Sequence, residues 1–596
     1  MIINFLLFYF FIFIVFVNGI FFNNTISRLL KISEINNSFF INIFFGLFSL
    51  SFFSFFFNFF INLNNILFKL CILFYIIISF KEIKYNDLNI FFKNSILIFL
   101  ISPLLNFMPE GYDAALYHFP HQTWIREEKI IFGLSNIHDR FGLISIYNYF
   151  GANLWFNNTF GALPYLQGSY YLLFFSFLFY ILNLIPKFSW IVLSTILTLP
   201  IWFRYIEPSY GLVDAPYGFL FYINIILGLI LLKEKQINYY FINLFLVSSC
   251  FAFTLKPSGI LILFYTFLIL MVLVLNRSID IFNKIILKIF IVPIFIVTAW
   301  IIKNIINTGC IIYPIKFLCL NLTWTDVNQV SKIKQAITDF SYQYYKNINP
   351  FFFKEFIFSY WYYLLFLTIF LSLIVIIFFN IKFLKIKKNL KLIIITFLIS
   401  INLTLYFNGS LKSFSYSSQL SAEYATSIIL KEFFVLILVF INSTFITSLY
   451  LNKELNFLKI NNLIFLMPFF YLFFCFTIWF LNAPSPRFAY GYFASLAPII
   501  IFAFVKDNFI TNYKNINLIK SYTYFIIFLL FFFEPVYTNI NKLNFNVRLI
   551  PKIDTIKREG FGVKAEYFCW TEKNCYFYNY DIQLNYLPYN YKIFTK

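Results

Sequence analysis

Charge is scarce in this chain. Of its 596 residues only 12% are Asp, Glu, Lys or Arg, roughly half the share of a soluble domain. With 61% hydrophobic residues and a mean hydropathy of +0.79, that excludes a soluble globule and points to an integral membrane protein. Histidine is scarcer still. There are three, and His118, His121 and His138 all fall within residues 109–142. The C-terminal tail has none, which argues against a zinc site there. Also missing are a Walker loop, a dinucleotide fingerprint, a GxSxG elbow and an HExxH pair, so nucleotide-driven transport has no support.

What is present in excess is phenylalanine, 92 residues. Ile, Asn, Lys and Tyr are over-used alongside it, as in an A/T-rich genome, and the Phe runs are read as generic lipid-facing and core filler. The formal net charge is +20. Many of the lysines lie in short loops between apolar runs, Lys382, Lys385, Lys387, Lys388 and Lys391 being the clearest case. Basic loops against anionic lipid need no nucleic-acid partner.

A span needs about 20 apolar residues. Candidate spans are 2–22, 38–62, 65–80, 91–107, 169–185, 188–204, 212–232, 239–256, 258–276, 285–305, 356–380, 390–407, 427–450, 461–481, 489–505 and 519–536. This predicts an all-α polytopic membrane protein with about sixteen transmembrane helices. The first run lacks a basic leader and a small-residue cleavage site, and is read as a span rather than a signal peptide. Alternate loops are basic and so cytoplasmic. Both termini, 108–168, 306–355 and 537–596 then fall outside. The expected divisions are 1–107, N-terminal spans; 108–168, an outer loop with interfacial helices; 169–536, the remaining bundle; and 537–596, a small extracytoplasmic tail. The three long outer segments share one side and could jointly cap a site at the membrane surface. Cys569 and Cys575 lie in the tail on the oxidising side, where a Cys569–Cys575 disulfide is expected.

The polar window reads PEGYDAALYHFPHQTWIREEKIIFGLSNIHDRFG. Its pattern over 113–128 predicts an amphipathic helix lying in the interface. Asp113 sits near the N-terminus, where the helix dipole favours a carboxylate base; the alternative is a simple cap. His118 and His121 share a helical face. With Asp113 or Glu110 they could hold a divalent metal, although contacts to substrate or headgroup are the more natural role. His138 and Arg140 belong to a second polar group in SNIHDRFG. Arg140 could hold an anion, or pair with Asp139 or Glu128 at the surface.

Ionisable residues near spans are costly and become site candidates. Lys256 lies at the helix break in FTLKPSGI, and Arg487 follows Pro484 and Pro486 at the mouth of a late span. Both suit a phosphate. Asp214 could face the site beside Arg204 and Glu207. The YP turn of NTGCIIYPIKF, with Lys303 and Lys316 near it, could line the same cavity.

Taken in order, GYDAALYHFPHQTWI, SNIHDRFG, TLKPSG, TGCIIYP, SPRFAYGY and the CW-x4-C tail resemble a family of large bacterial membrane proteins. That family is similar in layout to the GT-C superfamily of polytopic glycosyltransferases, which use polyprenyl-phosphate-linked sugars. The resemblance spans about residues 108–580. It implies a base at Asp113 assisted by Glu110, a lipid-phosphate site at Arg487 and Lys256, and a place in the bacterial inner membrane. The implied partners are membrane lipid, a polyprenyl-phosphate-linked sugar and an envelope glycan or lipid acceptor; no cofactor is firmly implied. Alternatives are a polysaccharide polymerase or ligase, and a non-enzymatic transporter or flippase of lipid-linked glycans.

Overall fold

The computed structural model describes residues 2–31, 37–111, 113–155, 159–203, 209–233, 238–275, 284–346, 461–482, 486–504, 513–528, 530–531, 555–559, 562–565, 575–576, 583–588 and 591–595. The expected spans 356–380, 390–407 and 427–450, the basic block Lys382 to Lys391, and Arg204, Glu207, Pro484 and Cys569 lie outside the described residues.

The chain is a mostly helical membrane protein. Six described helices are long and apolar enough to cross a bilayer: Ile3–Leu30, Phe39–Phe57, Leu163–Leu184, Asp214–Lys233, Pro257–Leu275 and Ile285–Thr308. Ile66–Phe80, Tyr239–Leu255 and Met467–Trp479 are shorter apolar helices. The described chain divides into two units, Met1–Tyr180 with Pro208–Ile337 and Tyr524–Lys596, and Ile181–Glu207 with Thr338–Thr523.

The first unit opens with α1 (Ile2–Leu30), α2 (Phe39–Phe57) and α3 (Ile66–Phe80). Ser38 and Asn65 start α2 and α3 by accepting from the Ile41 and Leu67 amides, as short polar side chains do at helix N-termini. Two glycines seat α1 on α2. A Cβ on Gly19 would lie 1.7 Å from the Asn42 carbonyl oxygen, and one on Gly46 1.9 Å from that of Val15. In lipid no hydrophobic force separates helix from tail, so close backbone approach at small residues holds such pairs together.

Residues 91–107 were expected to form one span, but they are divided among α4 (Tyr85–Lys93), α5 (Ser95–Ile101) and α6 (Leu104–Phe107). The breaks fall at Asn94, whose side chain bonds back to the Ile90 carbonyl, and at Ser102-Pro103, where proline has no amide to continue the ladder. The outer loop follows with a π-turn at Ala114–His118, α7 (Phe119–Glu127) and α8 (Ile146–Gly151).

Next come α9 (Leu163–Leu184) and, in the second unit, α10 (Ser189–Phe203). The first unit resumes with α11 (Asp214–Lys233), α12 (Tyr239–Leu255), α13 (Ile260–Leu275), α14 (Lys284–Ile289) and α15 (Ile291–Thr308). Asn224 of α11 donates to Ser248 and accepts from Ser249, both on α12, and Ser249 also meets Thr266 of α13. Such bonds bind helices where no water competes.

After α16 (Val327–Lys346), the second unit contains α17 (Asn461–Asn482) and α18 (Tyr490–Phe504), with α10 and α17 both packed on α18. α19 (Tyr513–Phe528) precedes the tail. There β1 (Thr555–Glu559), β2 (Gly562–Ala565) and β3 (Cys575–Tyr576) form one small sheet, and β4 (Gln583–Leu587) pairs antiparallel with β5 (Tyr591–Thr595) in another.

Parts of 108–168, 306–337 and the last strand pair converge within the first unit. Phe594 of β5 joins Tyr117, Trp124, Ile131, Leu134, Ile137 and Phe141 of the 108–168 loop in one core. The Phe132 amide donates to the Lys592 carbonyl and the Phe594 amide to the Phe132 carbonyl, and Asn136 donates to the carbonyls of Phe594 and Trp324. Gly133, at φ +66°, permits this approach, since a Cβ there would meet the Phe594 carbonyl. A second core joins Cys310, Tyr313, Val330 and Ile333 to Leu143.

Candidate functional site

Residues 113–128 do not lie on the surface as one amphipathic helix. The backbone winds as a π-turn and then as α7, and Phe119 through Ile125 are all buried, His121 and Gln122 among them. Phe594 of the tail strand packs on the apolar side chains Tyr117 and Trp124, while the histidines and Gln122 gather in a polar cluster within the loop. Asn148 of α8 is its centre. Its amide nitrogen lies 3.3 Å from His118 Nδ1 and 3.4 Å from His121 Nδ1, and its oxygen 3.4 Å from Gln122 Nε2. Trp155 Nε1 donates to Gln122 Oε1 at 2.9 Å. The expected histidine pair is therefore gathered, on an asparagine rather than on a carboxylate. Among the described residues no group of three His, Cys, Asp or Glu side chains is placed to hold a metal.

His121 is 2% exposed, and its Nε2 has no hydrogen-bond partner among the described residues. Burial, followed by the positive charges of His118 and Lys303, lowers its pKa to about 3, so the ring is neutral. Lys303 of α15 is itself fully buried. It donates to the Phe55 carbonyl at 3.0 Å and to Asn58 Oδ1 at 3.1 Å, with the Tyr149 ring 4.0 Å away. A cation at the C-terminal turn of α2 is favoured by the helix dipole.

Glu110 and Asp113 lie on the other side of α7's entry. Pro109 and Gly111 exchange backbone bonds with Tyr210, and the Tyr210 hydroxyl donates to the Glu110 carboxylate. Gly211, at φ +85°, lies so close that a Cβ there would meet Ala114 and Phe119. Asp113 stands at the N-cap position without capping the turn through its side chain. Three residues beyond Gly211, Asp214 opens α11 and pairs with Lys256 at 2.5 Å. Lys256 sits in the break between α12 and α13, in extended backbone, as the residue before a proline prefers. One short backbone crossing thus ties residues 109–111 to the segment that runs on to Asp214 and its Lys256 partner.

His138 and Arg140 lie close in the chain, and it is the backbone of Arg140 that contacts the His138 ring. The Arg140 amide donates to His138 Nδ1 at 3.1 Å, and that nitrogen is 3.2 Å from the Asp139 carboxylate. A neutral Nδ1 accepts the amide and a protonated one donates to Asp139, so the two contacts compete. Burial pushes the Asp139 carboxyl up, but the hydrogen bond and charge of His138, with Arg140, hold it below its ordinary range. The Arg140 guanidinium lies over the Tyr117 ring at 5.7 Å. Glu128 pairs instead with Lys592 of β5 at 2.7 Å.

In the second unit, Arg487 occupies a short turn, Pro486–Phe488, between α17 and α18, with its guanidinium 5.1 Å from the Phe488 ring centre. The expected Cys569–Cys575 bond includes a residue outside the description. Among the described residues a disulfide joins Cys310 to Cys319, in the segment after α15.

Sequence reasoning did not single out Asn148, Tyr210 or Asn58. Asparagine and tyrosine are so common here that composition hides them, and only contact reveals their roles. No curated protein and no solved structure matches the chain. The family model for the domain of unknown function DUF8201 matches residues 1–411, more than half of the chain; the chain belongs to that family.

Proposed function

We propose that the protein is a membrane glycosyltransferase of GT-C type, which moves a sugar from a polyprenyl-phosphate donor to an envelope glycan or lipid. The single observation that supports this reading most is the crossing of residues 109–111 with Tyr210. It ties the loop that carries Glu110 and Asp113 to the segment that leads into Asp214, the partner of Lys256. In this reading the bundle has about sixteen spans in a bacterial inner membrane.

Asp113 takes the proton of an acceptor hydroxyl. The hydroxyl oxygen attacks the anomeric carbon, the bond from that carbon to the phosphate oxygen breaks, and the lipid phosphate leaves with the electron pair. Glu110 is held in place by the Tyr210 hydroxyl, three residues before Asp113. Lys256 exchanges its Asp214 partner for the leaving phosphate, and stabilising that developing charge is the larger contribution.

The test is release of lipid phosphate from a panel of polyprenyl-phosphate sugars by purified protein. Asp113→Asn should lower turnover by about 100-fold or more, while the protein still inserts. Wild-type turnover in that variant rejects the reading. A second reading, a polysaccharide polymerase or ligase that uses a histidine in its site, is favoured by the buried His121 Nε2, which has no hydrogen-bond partner among the described residues. Loss of transfer in His121→Gln but not in Asp113→Asn would select it.

A further inference from the structure

A cavity of about 720 Å³ opens along α1 and α3 in the first unit. Its long wall is apolar, with Leu7, Phe10, Ile72 and Ile76 among its residues. Leu7 and Phe10 are 48% and 60% exposed, so the wall continues onto a helix surface that lipid would cover. From Lys69 to Ile76 the groove follows α3 for roughly 10 Å.

One end of the groove is different in kind. Asn64, Lys69 and Arg126 meet there: the Asn64 amide donates to the Arg126 carbonyl at 2.9 Å, and Lys69 Nζ donates to Asn64 Oδ1 at 2.7 Å. The Arg126 guanidinium lies over the Trp155 ring at 5.0 Å, and its Nη1 is buried with no hydrogen-bond partner among the described residues. No carboxylate lines the cavity. Burial lowers the pKa of Arg126, and the neighbouring Glu127 offsets this only in part. A cation that has lost water without gaining an anion is a site waiting for one.

We propose that this groove binds a long-chain lipid phosphate, with its chain along α1 and α3 and its phosphate on Arg126 and Lys69. Charge complementarity at one end and an apolar channel leading from it fit this amphiphile, and a neutral lipid would leave Arg126 Nη1 unpaired. The site is separate from Lys256 and Arg487. It concerns binding alone and stands apart from the transfer reading. It also reaches the buried cluster by contact, since Trp155 joins Arg126 to Gln122, and Gln122 to Asn148 and its histidines.

The experiment is equilibrium binding of tetradecyl phosphate to the full chain in a neutral maltoside micelle, with inorganic phosphate and a tetradecyl glycoside as competitors. Neither competitor should displace it. Arg126→Gln with Lys69→Gln should weaken binding by about 10- to 100-fold, the range for a charge-assisted bond. Ile72→Trp with Ile76→Trp should block the channel and abolish binding while both cations remain. Because the two variants change different parts of the groove, a folding defect in one leaves the other informative; a melting curve identifies it. Unchanged binding in both variants overturns the proposal. So does displacement by inorganic phosphate, which would indicate a plain anion site, or by the glycoside, which would indicate an apolar groove alone. Loss of glycosyl transfer in Asp113→Asn has no bearing on these outcomes.

Discussion

His121 shows how one buried ring ties the site to solution conditions. Its pKa falls from an ordinary 6.5 to about 3, chiefly through burial. Between those values the unfolded chain takes up a proton that the folded chain does not. The stability this ring contributes is therefore complete above about pH 6.5 and is lost as pH falls toward 3, at roughly 1.4 kcal/mol per unit. Asp139 acts lower. Its carboxyl is held below the ordinary range, so its contribution is present above about pH 4 and is lost only below that. Melting curves between pH 7 and 4.5 thus isolate the histidine. Wild type should lose stability more steeply than His121→Gln across that range, and parallel slopes would show that the ring titrates normally.

Helices in this protein are held by backbone approach and by polar bonds in a setting where apolar surface alone gives little preference. The α1–α2 pair is the clearest case, because Gly19 and Gly46 each face a backbone carbonyl of the other helix. In Gly46→Val the side chain would have to displace Val15 or push the helices apart, at a cost of about 3 kcal/mol or more by overpacking. That variant should lose most of its monodisperse peak on size-exclusion chromatography in detergent. Leu70→Val, on the 55% exposed face of α3, should behave as wild type. Equal recovery of the two variants would mean that the crossing tolerates separation.

At the scale of the molecule, the 108–168 loop, the segment after α15 and the last strand form one structure built from distant stretches of chain. β5 supplies Phe594 to the core of the 108–168 loop and Lys592 to Glu128. A chain ending before Gln583 leaves Tyr117, Trp124 and Ile131 uncovered, and the loss of Phe594 alone is worth about 3–5 kcal/mol. Limited proteolysis should then cut within 129–142, where the full chain resists. Resistance in the truncated chain would show that the loop packs without its strand.

The sequence by itself determined the membrane character, most of the described helices and the window that gathers all three histidines. Those follow from local quantities: run length, scarce charge and the positions of Pro, Ser and Asn. It also marked Glu110, Asp113, His118, His121, Asp214 and Lys256, because ionisable side chains are few against an apolar background. The partners were decided only by the tertiary structure. Asn148 holds the two histidines, Tyr210 binds Glu110, Cys310 pairs with Cys319, and His121 and Gln122 are buried while Phe594 of the tail packs on Tyr117 and Trp124. In a chain this rich in Asn, Tyr and Phe, no local pattern separates a hub from filler. Which asparagine meets which histidine depends on long-range packing, and burial then sets the charge state that each can hold.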